Sequence, residues 1–148
     1  MDTVKMLSDY AAAHGKPQRF MGVPKTIDND LPVTDHCPGY GSAAKYIATS
    51  LKEIIRDNES FGAKKPTICI VEIMGRNAGW LTAAAALAKG DDCSGCDAIY
   101  LPEKVFDMDA FMAKVKELAA TKSSVVIAVS EGIHTVSYTH LTLPTICS

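Results

Sequence analysis

The segment PKTIDND, residues 24–30, carries the side chains best suited to chemistry. Asp28 and Asp30 lie two positions apart, so on an extended segment both carboxylates project to the same side. One carboxylate can accept a proton from a substrate hydroxyl, while the second orients it or a metal ion. Lys25 adds a compact positive charge suited to a phosphate oxygen, and Thr26 lies two positions before Asp28. The same residues also fit an Asp-rich turn held by side-chain hydrogen bonds.

Two other segments offer groups that bind phosphates or sugars. In EIMGRNAGW, residues 72–80, Gly75 allows close backbone approach and Arg76 presents a rigid fork of donors. The N-terminus of a following helix would favour an anion. The alternative is a strand-to-helix turn with Asn77 as the cap and Arg76 in solvent. Glu131 follows the apolar run VVIAVS, where it is placed to accept hydrogen bonds from sugar hydroxyls or to lie solvated in a loop.

Two further motifs favour structural roles. The segment PGYGSAAK, residues 38–45, is similar to a dinucleotide-binding fingerprint but lacks the strand that must precede it, which indicates a glycine-rich helix start. Cys93 and Cys96 form a single CxxC pair. A zinc site needs two more ligands at suitable spacing, so these cysteines are expected to be loop thiols.

The elements that must position these groups alternate along the chain. Apolar spacing predicts helices over residues 2–14, 42–58, 77–90 and 107–121, the last with Asp107 as N-cap. Apolar runs predict strands over residues 19–23, 67–73, 98–101 and 124–130, and the run 67–73 is typical of a strand covered on both faces. This order predicts an α/β fold with a parallel sheet. Because ligands bind beyond the carboxyl ends of such strands, we expect the loops 24–30, 74–77 and 131–133 to contribute the site.

Composition excludes several classes of protein. The 148 residues are 47% hydrophobic and 22% charged with a net charge of −2, which indicates one folded domain and no nucleic-acid partner. No apolar stretch reaches 18 residues and the first fifteen residues carry charges throughout, which predicts neither a membrane span nor a signal peptide. Five cysteines without a regular framework favour free thiols in the cytoplasm.

The last segment differs from the rest in composition. Residues 134–148 contain no Asp, Glu, Lys or Arg, and six of these fifteen residues are Ser or Thr. The string VSYTHLTLPTICS, residues 136–148, is similar to a translated cloning adaptor. We therefore expect residues 1–133 to be part of a natural domain and residues 134–148 to be a non-native tail, in which His140 and Cys147 carry no function.

Four segments, taken in order, resemble the phosphofructokinase family: PKTIDND, TDHCPGYGSAAKYIATS, VEIMGRNAGW and VVIAVSEGI. The resemblance runs from about residue 2 to residue 133 and implies the central part of a parallel-sheet phosphofructokinase-like fold. It implies phosphoryl transfer to the 1-hydroxyl of fructose 6-phosphate, giving fructose 1,6-bisphosphate. The implied roles are Asp28 as the general base, Asp30 as its support near magnesium-bound phosphates, Thr26 as a contact to the substrate or the transferring phosphate, Met74, Gly75 and Arg76 as contacts to the sugar phosphate, and Glu131 as the partner of the sugar hydroxyls.

Lys25 favours the pyrophosphate-dependent branch of that family, where this lysine stabilises the transferring phosphate. ATP remains an alternative donor, since some ATP-dependent relatives carry the lysine as well. The resemblance implies Mg²⁺, with its main ligand upstream of Met1, and a homo-oligomer when the chain is full length. Without flanking parts, the 148-residue chain is expected to be inactive. A reading of another class is a non-catalytic module that binds sugar phosphates, with the Asp pair serving as a turn.

Overall fold

Helices and strands alternate along the chain, as an α/β fold requires. The computed structural model describes residues 2–61 and 65–135. Its elements in chain order are α1 (Asp2–Ala13), α2 (Tyr40–Ser60), β1 (Thr67–Ile73), α3 (Trp80–Ala83), a 3₁₀ helix (Ala84–Ala88), β2 (Ala98–Tyr100), α4 (Met108–Thr121) and β3 (Ser124–Ser130). The predicted fold class is confirmed.

The three strands form one parallel sheet in the order β1-β3-β2. The last strand in the sequence therefore lies at the centre. β1 and β3 pair along their whole length, from Thr67 opposite Ser124 to Ile73 opposite Ser130. Because both strands end at the same level, the loops that follow them leave the sheet side by side.

The two faces of β3 carry separate apolar clusters. Val126 and Ala128 pack toward α2 and the 3₁₀ helix, together with Leu51 and Ile55 of α2. The alternate residues of β3 pack with α4 and the segment before it, in a cluster formed by Phe106, Phe111, Val115, Val125, Ile127, Val129 and Ile133. Period-two alternation therefore buries both faces of the central strand, as the continuous apolar run predicts.

The expectation that β1 is covered on both faces is wrong. Ile68 and Ile70 are 46% and 41% exposed, whereas Ile73 is buried. The register places Ile68 and Ile70 beside Val125 and Ile127, on the side of the sheet that α4 covers. Helix α4 packs on β3, and β1 lies at the edge of the sheet that the described residues form, so its residues on that face are left in solvent.

The predicted strand at residues 19–23 is also wrong. This segment takes no part in the sheet, and Met21 and Val23 are 89% and 79% exposed. A strand needs a partner for its backbone hydrogen bonds. Both edges of the described sheet, β1 and β2, are left unpaired by this segment. The short apolar run therefore forms no strand of the described sheet.

Helix boundaries follow the predictions except in the third helix. Helices α1, α2 and α4 lie where the spacing predicts them, and the carboxylate of Asp107 caps α4 by accepting from the N–H groups of Asp109 (2.9 Å) and Ala110 (3.0 Å). The third helix begins at Trp80 rather than Asn77 and continues as a 3₁₀ helix from Ala84. Residues 75–79 form a compact turn instead, which removes one turn from the predicted helix. In residues 2–61 and 65–135, no helix combines the length and apolarity needed to cross a bilayer.

Val33 carries local backbone strain that a substitution should relieve. Its φ is +57°, a left-handed conformation that is unfavourable for a β-branched residue, and its side chain is fully exposed. We expect Val33→Asn to raise the free energy of unfolding of the full-length protein by about 1 kcal/mol, since Asn tolerates this conformation. Urea denaturation measures the change. Val23→Asn is the control, because Val23 is exposed with ordinary φ, and an equal gain there would contradict the strain argument.

Candidate active site

The carboxyl ends of β1 and β3 bring two of the expected loops into contact. The backbone N–H of Glu131, the first residue after β3, donates to the carbonyl oxygen of Ile73, the last residue of β1, at 2.9 Å. The buried hydroxyl of Ser130 donates to the carbonyl oxygen of Gly75 at 2.7 Å and accepts from the N–H of Gly132 at 3.1 Å. Loops 74–77 and 131–133 therefore meet as predicted.

Glycines allow this close approach. At Gly75, φ is +128° and a Cβ atom would lie 2.6 Å from the carbonyl oxygen of Ala78. At Gly132, a Cβ atom would lie 2.0 Å from the carbonyl oxygen of Arg76. A larger residue at Gly132 would push the two loops apart, whereas one at Gly75 would disrupt the turn that Gly75 and Ala78 share. At Gly75 the approaching group is the protein's own backbone, and the expected contact of Gly75 with a sugar phosphate stays a prediction.

Glu131 is held by the loop opposite it. One carboxylate oxygen, Oε1, accepts from the N–H of Gly75 at 3.1 Å, and the side chain is half-buried. The alternative of a freely solvated loop acid is therefore wrong for this residue. The remaining acceptor capacity of the carboxylate is available for a ligand.

Loop 24–39 approaches the same end of the sheet. Ile27 packs against the apolar cluster of β3 and α2, which anchors the loop beside the strand ends. The hydroxyl of Thr26 accepts from the N–H of Asp28 at 3.1 Å. The chain bends at Ile27 and Asp28, so Asp28 is directed into the protein rather than along an extended segment.

Asp28 lies in an environment that disfavours its charge. Its carboxyl is half-buried, and the Oδ1 atom is enclosed without a hydrogen-bond partner. Burial raises the pKa of Asp28 above its usual value, the negative charges of Asp30 and Glu131 raise this pKa further, and the positive charge of Lys25 opposes them. The structure therefore brings together four of the predicted residues from two separate loops.

The premise that residues 28–30 are extended is wrong. Asn29 has φ +59°, in the left-handed region, so the period of a strand does not apply here. Asp28 lies half-buried, whereas Asp30 is exposed and lines an open pocket of about 580 Å³. The pocket lies between loop 24–39 and the turn before α3, and its lining consists of Asn29, Asp30, Leu31, Pro32, Thr34, Asp35, Asn77, Ala78 and Trp80. The negative charge of Asp30 acts on Asp28, but Asp28 is half-buried whereas Asp30 faces the open pocket.

Lys25, Met74 and Arg76 are exposed at this edge. Within the part of the chain that the structure describes, no ion pair engages Lys25 or Arg76. Their charges are therefore free to meet an anionic ligand. In the same described residues, no three His, Cys, Asp or Glu side chains are grouped to hold a metal ion.

The N-terminus of α3 already has an acidic side chain as its partner in this structure, and the expected anion site there stays a prediction. The N–H of Gly79, which precedes α3, donates to the carboxylate of Glu103 at 2.6 Å. This carboxylate takes the place that a bound anion would need. Helix α3 also has only four residues before it tightens into the 3₁₀ helix, which leaves little dipole to attract a negative charge.

The remaining motifs lie at a helix start and in a loop. The segment 38–45 starts α2 at Tyr40. Cys93 is buried and Cys96 is half-buried, and both are free thiols. Burial, with smaller contributions from Asp97 and Cys93, raises the pKa of Cys96 to about 11, so it is a thiol at neutral pH. His140 and Cys147 lie outside the described residues.

Sequence reasoning missed three residues that shape the site: Asn29, Ser130 and Glu103. Asn29 is buried between two candidate carboxylates, and Asn is the side chain other than Gly that most readily adopts a left-handed conformation. Its position was therefore a usable signal. The contacts of Ser130 and Glu103 join residues 55 and 24 positions apart, and no local pattern reports such pairs.

Comparison with known proteins shows the family to which this chain belongs. The profile of the family described as phosphofructokinase matches residues 1–145. The chain belongs to the phosphofructokinase family. The loops that meet at the strand ends are thus those of a phosphofructokinase.

Individual relatives agree with the family assignment. This phosphofructokinase segment is 48% identical over 132 residues to the pyrophosphate–fructose 6-phosphate 1-phosphotransferase of Xanthomonas campestris pv. campestris, covering 89% of this chain and 32% of the relative. It is 35% identical to the ATP-dependent 6-phosphofructokinase 3 of Streptomyces coelicolor, over 89% of this chain and 35% of that relative.

Among solved structures, the pyrophosphate-dependent phosphofructokinase of Nitrosospira multiformis superposes with a TM-score of 0.77 at 39% identity. The match covers 93% of this chain and 35% of the solved chain. The fold is therefore part of a phosphofructokinase fold. This segment spans about a third of the length of these relatives.

Proposed function

We propose that this segment belongs to an enzyme that transfers a phosphoryl group from pyrophosphate to the 1-hydroxyl of fructose 6-phosphate. The observation that carries the proposal is the unpartnered, enclosed Oδ1 of Asp28, beside Glu131 at the carboxyl ends of β1 and β3. A buried acceptor without a donor is costly for a folded protein. In this reaction a substrate hydroxyl supplies the missing donor. By "full-length enzyme" we mean this segment within a chain as long as its relatives.

In the proposed mechanism, Asp28 accepts the proton of the 1-hydroxyl. The oxygen then bonds to the transferring phosphorus while the bond to the bridging oxygen breaks, and inorganic phosphate leaves. Burial and the charges of Asp30 and Glu131 raise the pKa of Asp28, which makes its carboxylate a stronger base than an exposed Asp. The hydrogen bond from the N–H of Asp28 to Thr26 keeps the residue in place.

The sugar phosphate is assigned to the exposed groups that flank this carboxylate. Arg76 presents an exposed guanidinium at the end of β1, beside Met74 and Gly75, and suits a phosphate or several hydroxyls. Glu131 has one oxygen on the N–H of Gly75 and further capacity for sugar hydroxyls. These groups position the sugar, and positioning is a large part of catalysis in phosphoryl transfer.

Lys25 is the reason to favour pyrophosphate as the donor. Its ammonium group is exposed, unpaired within the described residues, and close enough to lower the pKa of Asp28. A positive charge there stabilises the transferring phosphate. ATP is the alternative donor, supported by the similarity to the ATP-dependent enzyme of S. coelicolor.

Magnesium fits this site as an ion shared with the donor rather than caged by the protein. The described residues offer no cluster of three ligands, and Mg²⁺ is commonly held by one or two carboxylates together with substrate phosphates. The exposed carboxylate of Asp30 is the group suited to hold it, with the main ligand upstream. When bound, the ion neutralises charge on the phosphates of the donor. We also propose a cytoplasmic enzyme that forms a homo-oligomer.

The donor assay tests the proposed function. The full-length enzyme with Mg²⁺ and fructose 6-phosphate should release fructose 1,6-bisphosphate faster with pyrophosphate than with ATP. Faster turnover with ATP would show that ATP is the donor and would leave the proposed acceptor and product unchanged. Binding of fructose 6-phosphate without turnover by either donor would favour the non-catalytic module.

Glu131 gives a prediction about sugar binding. We expect Glu131→Gln to lower kcat/KM for fructose 6-phosphate about tenfold, because the amide still accepts from Gly75 but loses the charge-assisted bond to a hydroxyl. Steady-state kinetics at saturating pyrophosphate measures the change. Glu117→Gln, on the exposed face of α4, is the control and should leave kcat/KM unchanged. Equal values of kcat/KM for the two variants would show that Glu131 does not bind the sugar.

A further inference from the structure

Asn29 lies buried between the two candidate carboxylates, 7% exposed, with a side chain that spans the loop. Its Oδ1 atom accepts from the N–H of Cys37 at 2.7 Å, and its Nδ2 group donates to the carbonyl oxygen of Asp35 at 3.3 Å. The amide thus uses both of its ends. A carboxylate could accept from Cys37 but could not donate to Asp35.

The segment to which Asn29 bonds is anchored to the rest of the fold. Cys37 is fully buried, and its carbonyl oxygen accepts from the N–H of Tyr40, the first residue of α2. Helix α2 in turn packs on β3 through Leu51 and Ile55. Asn29 therefore connects the segment that carries Asp28 and Asp30 to an element that is fixed on the sheet.

The backbone conformation of Asn29 also affects where the two carboxylates lie. With φ at +59°, the chain reverses its local direction, so Asp28 lies half-buried near Glu131 while Asp30 faces the open pocket. In an extended conformation the two carboxylates would share one side. The different surroundings of Asp28 and Asp30 thus depend on this residue.

We infer that Asn29 is a positioning residue for phosphoryl transfer, whose amide clamps the loop to Cys37 and Asp35 and so sets the placement of Asp28. The inference rests on the proposed function, because placement matters only if Asp28 acts on a substrate. Misplacing a reacting group by a fraction of an ångström to one ångström slows a reaction far more than it weakens binding. Loss of the clamp should therefore lower kcat with little change in KM.

The test compares Asn29→Gly with Asn58→Ala in the full-length enzyme. Glycine keeps the left-handed backbone but removes both side-chain bonds. Asn58 is a matched control, since it is also 7% exposed and donates through Nδ2 to Ser124 at 2.6 Å, at the opposite end of β3. We expect Asn29→Gly to lower kcat about tenfold with KM for fructose 6-phosphate changed less than threefold. Asn58→Ala should lower the melting temperature and leave kcat of the folded enzyme unchanged.

Hydrogen–deuterium exchange supplies the structural readout. Peptides that contain Cys37 should exchange faster in Asn29→Gly and at the parental rate in Asn58→Ala. Parental kcat in Asn29→Gly, alongside an active parent enzyme, would overturn the clamp and leave the proposed function intact. A lower melting temperature with unchanged kcat would likewise show a merely structural role. A parent enzyme inactive with both donors would overturn the proposed function, and with it the role of Asn29 in catalysis.

Discussion

Asp28→Ser in the full-length enzyme should lower kcat by about 10²–10⁴-fold, with a much smaller effect on the KM for fructose 6-phosphate. Removing a general base acts in the transition state, where the hydroxyl proton is transferred. Serine keeps the backbone N–H that donates to Thr26, so the local turn is retained. Steady-state kinetics with pyrophosphate as the donor measures both constants.

Stability separates this role from that of a turn residue. Since the pKa of Asp28 is raised in the folded protein, folding favours its protonated form, and above that pKa the ionised carboxylate destabilises the fold. Asp28→Ser removes this unfavourable charge and should not lower the free energy of unfolding at pH 7. A structural Asp in a turn would give the opposite sign.

Asp91→Ser is the control for this prediction. Asp91 is exposed in the loop between the 3₁₀ helix and β2, and neither a hydrogen bond nor an ion pair of its side chain is found in the described residues. Its variant should match the parent in kcat and in stability. A folded Asp28→Ser enzyme that turns over like Asp91→Ser would show that Asp28 is not the base.

The elements of this fold could be predicted from sequence where local pattern and tertiary contact agree. Strand β3 is apolar at every inner position and lies at the sheet centre, and Asp107 caps α4 with its own neighbours. The segment 19–23 has a similar apolar run but finds no partner strand, and a pattern alone cannot report whether a partner exists. The bounds of β1 were predicted, but its exposed face was not, because a pattern alone cannot report whether another element covers that face.

The candidate site shows the same division. The sequence identified Asp28, Asp30, Lys25 and Glu131 as candidates by residue type. In the structure, Asp28 lies close enough to the other three for their charges to shift its pKa. It could not identify how the loop turns, because the left-handed conformation of Asn29 breaks the strand period that placed both carboxylates on one side. Nor could it identify Glu103 at the N-terminus of α3, since that hydrogen bond joins residues distant in sequence.

Lys25→Met should separate the two donors. Methionine keeps the length and apolar stem of the side chain and removes the charge. Pyrophosphate has no nucleoside to anchor it, so its binding and activation depend on charges near the phosphates themselves. ATP gains remote binding energy from adenosine. Loss of one well-placed donor to the transition state costs about 3 kcal/mol, which corresponds to about 10²-fold in kcat with pyrophosphate.

The assay for Lys25→Met uses both donors, with Lys16→Met as the matched control. Lys16 is also exposed, lies between α1 and loop 24–39, and forms no ion pair within the described residues. We expect Lys16→Met to match the parent, because the charge of a solvated lysine is screened from the reaction by water and salt. Lys25→Met should lose about 10²-fold with pyrophosphate and distinctly less with any ATP-dependent activity. Unchanged turnover with pyrophosphate would remove Lys25 from the site, and with it the main reason to prefer pyrophosphate over ATP.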